Sequence, residues 1–254
     1  MYDMGTRKRA LALIVQGRSM NSVSKETGVS RAAIRSWQSQ IDPSPRMQHE
    51  PCARCGPVAE PPADQAAYSY LLGLYLGDGC ISRGLRTTYV LRIACANDWP
   101  GLIEACAAAI EAINPSERSN RVQAVGYVSV VGYSRHWPCL FPQHGPGKKH
   151  ERRIVLEPWQ QEIVDAQPWE FIRGLIHSDG CRVTNWTTRL VGGERKRYEY
   201  PRYFFTNKSP DIIRLCTATL DAVGVDWKQA NSKNISVARR VSVALMDTHV
   251  GPKY

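Results

Sequence analysis

Two stretches decide how this chain is read: "LLGLYLGDG" at residues 71–79 and "IRGLIHSDG" at residues 172–180. Each has the composition of an apolar helix that stops at an Asp-Gly pair. In the first, Gly73 and Gly77 lie four apart; in the second, Gly174 and Ser178 repeat that spacing. Residues four apart share one helix face, and small side chains there let two helix backbones approach closely. Packed face to face about a pseudo-twofold axis, the two helices would bring their C-terminal ends together and stand Asp78 beside Asp179. A helix C-terminus already carries partial negative charge, and like carboxylates repel. Such a pair calls for a cation, and hard oxygen donors select Mg2+ or the similar Mn2+.

The flanking sequence repeats as well. Asn97, Pro100, Ile103, Cys106 and Ile110 match Asn207, Pro210, Ile213, Cys216 and Leu220 at a constant offset of 110, while the opening helices match at 101. The difference falls in "LVGGERKRYEYPR", residues 190–202, read here as a loop enlarged in the second copy. Each copy predicts helix, strand pair, helix, strand pair, helix. Repetition at this scale implies two copies of one α+β unit, residues 66–158 and 159–254.

The paired stretches resemble the dodecapeptide (DOD-type) motifs of LAGLIDADG homing endonucleases, in the two-motif single-chain form, and the resemblance covers residues 66–254. It implies two αββαββα halves with saddle-shaped antiparallel sheets lying on the DNA major groove, the motif helices forming the interface between halves. It implies that the acid before the last motif glycine, Asp78 and Asp179, binds a divalent metal. It further implies double-strand cleavage across the minor groove with short 3′ overhangs. Two departures stand out: the motif's earlier acid is Leu76 in one half and His177 in the other. His177 is expected to pack or cap at a helix end. Basic residues near the cut are a family feature, and the candidates are Lys148 and Lys149, with Arg239 and Arg240 after the last strand.

Upstream, residues 1–42 read as three short helices. Ser19 and Ser30 are suited to cap the second and third, and Gly28 supplies the turn between them. This is a helix-turn-helix pattern, in which the last helix enters the major groove and its first residues meet the bases. Ser30, Arg31 and Arg35 are the candidate base contacts and Lys25 a phosphate contact. Residues 43–65 form a Pro-rich linker. Within it "CARC" places Cys52 and Cys55 at a spacing that can hold one side of a zinc. His49 is a candidate third ligand, and no second CxxC completes the set.

Lys plus Arg number 33 against 23 acids, a net charge of +10, which favours a polyanionic partner, double-stranded DNA above all. Arg152 and Arg153, in "GKKHERR", are further phosphate-contact candidates. "GPGKK" departs from a Walker loop. The longest apolar run, Tyr68 to Leu76, is half of what a membrane span needs. The eight scattered cysteines read as buried thiols rather than a disulfide framework. The expectation is a cytoplasmic monomer, nucleoid-associated in a bacterium, that acts as a site-specific endonuclease. The competing expectation is a non-cleaving transcriptional regulator on the same fold.

Overall fold

A computed structural model describes residues 4–39, 55, 61–85, 87–251 and 253–254. The chain divides into two compact units, Met1–Glu50 and Pro51–Tyr254. Cys52, His49 and most of the linker fall outside the described residues.

The first unit is three helices, α1 (Met4–Val15), α2 (Met20–Thr27) and α3 (Arg31–Ser39). The Ser19 hydroxyl accepts from Ser22 N at 3.2 Å, and Gly28 ends α2 at φ +68°. That left-handed conformation is one only glycine adopts without strain. Ala10, Leu11, Val23, Val29, Ile34 and Trp37 form its core.

The second unit is α+β and carries one element order twice. The first copy is α4 (Gln65–Asp78), β1 (Gly79–Arg83), β2 (Tyr89–Ala96), α5 (Pro100–Ile113), β3 (Asn120–Ala124), β4 (Tyr127–Ser134) and the one-turn α6 (Trp137–Leu140). A 3-10 turn, Lys149–Glu151, and α7 (Pro158–Ala166) join it to the second copy. That copy is α8 (Pro168–Asp179), β5 (Gly180–Val191), β6 (Glu194–Thr206), α9 (Pro210–Ala222), β7 (Lys228–Asn231), β8 (Asn234–Val237) and α10 (Arg240–His249). The two antiparallel sheets share one strand order, β1-β2-β4-β3 and β5-β6-β8-β7. One core runs through both copies.

The motif helices lie against each other through their glycines. A Cβ on Gly73 would stand 2.6 Å from Phe171 O and 2.8 Å from Leu175 N; one on Gly174 would strike Tyr70 O. These are backbone atoms that cannot step aside. Helix α4 is buried on every side from Tyr68 to Leu76, which explains why its sequence is apolar throughout rather than on one stripe.

Two expectations are corrected. Residues 190–202 are no loop: β5 and β6 pair continuously from Gly180↔Phe205 to Val191↔Glu194. Gly192 and Gly193, at φ +61° and +86°, make the tight turn between them. Two consecutive positive-φ residues match the twist of a hairpin. Pro201 is tolerated because it precedes the stretch of β6 paired with β8, Tyr203 to Thr206. The cysteines are also not uniformly buried: Cys95, Cys106 and Cys216 are, whereas Cys80 and Cys181 are exposed.

Candidate active site

Helices α4 and α8 end at Asp78 and Asp179, and the next residues, Gly79 and Gly180, begin β1 and β5. A Cβ on Gly77 would meet the Ser178 side chain and lie 3.2 Å from Asp179 Oδ2, which measures how closely the two helix ends abut. Burial is the main cause that raises the pKa of both carboxyls. For Asp179 the neighbouring Asp78 charge adds to it, and its pKa reaches about 6. The Asn207 amide donates to Asp179 Oδ2 at 2.6 Å. Its sequence counterpart Asn97 is exposed and instead accepts from Gln123.

Two lysines reach this point, one from each copy. The Lys149 ammonium donates to the carbonyls of Tyr75, Gly77 (2.7 Å) and Gly79 (2.8 Å). The Lys253 ammonium donates to Ser178 O at 3.4 Å and Gly180 O at 2.7 Å. Each neutralises the negative end of its motif helix. Burial lowers the Lys149 pKa to about 8, against the opposing pull of Asp179 and Asp78. Lys253 is lowered by the same cause and held up by the same carboxylates.

Sequence reading had selected Lys149 and missed Lys253. The overlooked signal is the Gly-Pro before each: "GPGKK" at 145–149 and "GPK" at 251–253. Lys148, by contrast, is exposed and lies 3.6 Å from Glu151. Arg152 donates to the carbonyls of Gln143, Gly145, Pro146 and Gly147, and so clamps the loop that presents Lys149. Arg153 is exposed. Arg239 pairs with Asp226 at 2.9 Å, and Arg240 is exposed at the start of α10. None of these five is among the groups gathered at the paired carboxylates.

At the positions of the altered motif acids, Leu76 is core and His177 is buried, its Nδ1 2.9 Å from the Tyr70 hydroxyl. Burial, with the Arg173 and Lys253 charges, drops the His177 pKa to about 4, so the ring is neutral at physiological pH.

The sheet faces turned away from the helices carry a related pair that sequence reading also missed. Arg92 on β2 donates to the Ser82 hydroxyl, and Arg202, 110 residues later on β6, donates to the Ser236 hydroxyl. In the three-helix unit, Ser30 is occupied as a cap for Ala33 N, and Arg31 donates to Asn21 Oδ1 at 3.0 Å. Lys25 and Arg35 are exposed.

The donor set fits a divalent cation. Two carboxylates that burial makes reluctant to ionise, Asp179 further so beside the Asp78 charge, sit at adjoining helix ends, and hard oxygen atoms converge there. Asp78 and Asp179 are the residues that would hold it.

No protein-family model matches this chain, and no curated protein matches it. Among solved structures it is similar to mesophilic variants of the homing endonuclease I-DmoI, at 16% identity over 73% of this chain and 90% of that one, TM-score 0.45. It is similar to the LAGLIDADG meganuclease I-AabMI bound to uncleaved DNA, at 10% identity over 72% and 83%, TM-score 0.46. It is also similar to the N-terminal LAGLIDADG domain of DUF199/WhiA, at 10% identity over 75% and 83%, TM-score 0.44. At such identities the likeness is one of fold alone.

Proposed function

We propose that this chain is a site-specific DNA endonuclease of the LAGLIDADG homing endonuclease type, making metal-dependent double-strand breaks. The observation that carries the reading is the arrangement at the pseudo-twofold centre: Asp78 and Asp179 at adjoining helix ends, Lys149 on the last carbonyls of α4 and Lys253 on those of α8, with both lysines acting on both carboxylates. Two equivalent half-sites within one chain suit the cutting of two antiparallel strands by a monomer. A divalent metal held by Asp78 and Asp179 supplies Lewis-acid polarisation of the phosphate and activation of water. The chain's own residues do the rest. The two ammonium groups hold positive charge beside the carboxylates, where negative charge develops on a phosphodiester under attack. With a pKa near 8, Lys149 can also exchange a proton near neutral pH. The sheet faces bearing Arg92 and Arg202 lie along the DNA, and the three-helix unit adds a helix-turn-helix contact through Arg31 and Arg35.

The test is linearisation of a randomised plasmid library by the purified protein. Cleavage is expected with Mg2+ or Mn2+ and is expected to stop with chelator. Asp78→Asn and Asp179→Asn should each abolish cleavage while the protein still shifts the DNA. Shifted but uncut DNA at every metal concentration would instead support the regulator. Full cleavage by the double Asn variant would remove the two acids from the mechanism.

A further inference from the structure

We infer a structural zinc site, separate from the paired carboxylates, built from Cys55, His136 and Cys139; Cys52, outside the described residues, is the fourth ligand that its sequence spacing offers. The ligand atoms of Cys55, His136 and Cys139 all lie within 4.8 Å of one another. Cys55 Sγ is 3.2 Å from His136 Nδ1. Zinc bonds of about 2.3 Å to sulfur and about 2.0 Å to nitrogen, set tetrahedrally, place ligand atoms roughly 3.5–3.8 Å apart. The observed cluster needs only small side-chain adjustments to reach that spacing.

Two of the three ligands stand on a fixed platform. His136 caps the one-turn α6, and Cys139, three residues on, lies one turn along; Cys139 N donates to His136 O at 2.9 Å. Of the two residues between, Trp137 is fully buried and its indole donates to Gly132 O at 2.9 Å. Phe141, just beyond, is fully buried against Tyr75 of α4. The third ligand, Cys55, comes from the segment that precedes α4.

The sequence supplies the fourth. Cys52 precedes Cys55 by three, so the set reads C-x2-C followed by H-x2-C. Four nitrogen and sulfur ligands with no open position are the signature of a structural rather than a catalytic zinc. His49 is not needed, and the ligands that "CARC" lacked in its own neighbourhood are found 81 and 84 residues downstream in "HWPC". The metal would fasten the segment ahead of α4 to the turn that packs on α4.

The experiment uses the full chain, purified without chelator and then with cobalt in place of zinc. One zinc per chain is expected. The cobalt form should show the intense visible bands of tetrahedral cobalt together with thiolate charge transfer. Cobalt held by Asp78 and Asp179 gives no thiolate band, so the outcome is independent of whether the endonuclease reading holds. Cys55→Ser, Cys139→Ser and Cys52→Ser should each lose the band, whereas Cys80→Ser should keep it. A measurement on the unaltered protein guards against variants that fail to fold. Bound zinc should shield Cys52, Cys55 and Cys139 from alkylation while Cys80 and Cys181 react. Protein without stoichiometric metal and without a cobalt-thiolate band would reduce the cluster to a thiol–imidazole hydrogen bond and overturn the site. Protection of a different set of cysteines would overturn it equally.

Discussion

The two repeats agree at their shared axis and diverge with distance from it. In both, a helix of small and apolar residues ends at an aspartate, and a lysine from the far end of the same repeat returns to that helix's last carbonyls. Away from the axis they differ. The hairpin after α4 has strands of 5 and 8 residues, whereas the one after α8 has 12 and 13. Asp179 has an amide partner in Asn207, while Asn97 has gone elsewhere. The first repeat carries the Cys/His/Cys cluster; at the matching end of the second, His249 stacks on Trp169 at 4.1 Å. Backbone contact at the axis leaves no room for drift, and edges that touch only solvent are free to change.

The largest effect should come from breaking the axis itself. Gly73→Ala and Gly174→Ala each drive a Cβ into the backbone of the other helix. Overpacking against atoms that cannot rotate away costs about 3 kcal/mol or more. Both variants should lose the cooperative melt of the second unit, and by similar amounts if the axis is truly symmetric. Gly77→Ala meets side chains rather than backbone, chiefly Ser178 and then the Asp179 carboxylate. Its cost should be smaller and should be relieved by adding Ser178→Gly. Equal melting temperatures for wild type and Gly174→Ala would mean that the helices are not held at this distance.

A smaller effect separates the two aspartates. The pKa of Asp179 is raised to about 6, so in metal-free protein the folded state holds its proton more tightly than the unfolded chain does. The contribution to stability is therefore complete below about pH 4 and lost as pH rises through 6. Replacing Asp179 by Asn removes that loss. In the presence of chelator, Asp179→Asn should melt above wild type at pH 7, by on the order of 2–3 kcal/mol, with the gap closing between pH 6 and 4. Asp78→Asn should shift in the same direction. A gap that widens in acid would mean that the carboxylates are stabilised as a charged pair by Lys149 and Lys253 rather than strained by each other.

How much of this was legible in the sequence follows the same gradient. Gly73, Gly77 and Gly174 announce a close approach because no other residue fits, so the motif helices and the meeting of Asp78 with Asp179 could be read directly. Hairpin β5–β6 was mistaken for a loop because its alternation is masked by charge: Arg195, Lys196 and Arg197 run together on opposite faces of one strand. Lys253 gave no periodic signal at all, and only its mate's position explains it. The ligands His136 and Cys139 were invisible because a cluster closed by tertiary packing leaves no local spacing in the chain beyond its two halves.

The smallest effect, and the one that sharpens the difference between repeats most finely, concerns the longer hairpin. Arg189 and Lys196 stand directly opposite each other on β5 and β6. Like charges across a strand pair are destabilising, and neither residue meets an acid among the described ion pairs. On the other face Arg197 is satisfied by Glu199 at 2.7 Å and covers the Trp186 ring. A phosphate beside Arg189 and Lys196 would offset their repulsion, so this face of the hairpin is the one expected to follow a DNA backbone. Arg189→Ala and Lys196→Ala should weaken binding to all sequences and flatten the log–log salt dependence by about 0.9 for each lost phosphate contact. Arg31→Ala or Arg35→Ala in the three-helix unit should instead relax preference at one or two base pairs, by roughly 1–3 kcal/mol each. Both are read from selection on a randomised DNA library at two salt concentrations. If the hairpin variants change sequence preference and leave the salt slope intact, the longer hairpin reads bases, and the second repeat has diverged for specificity rather than for grip.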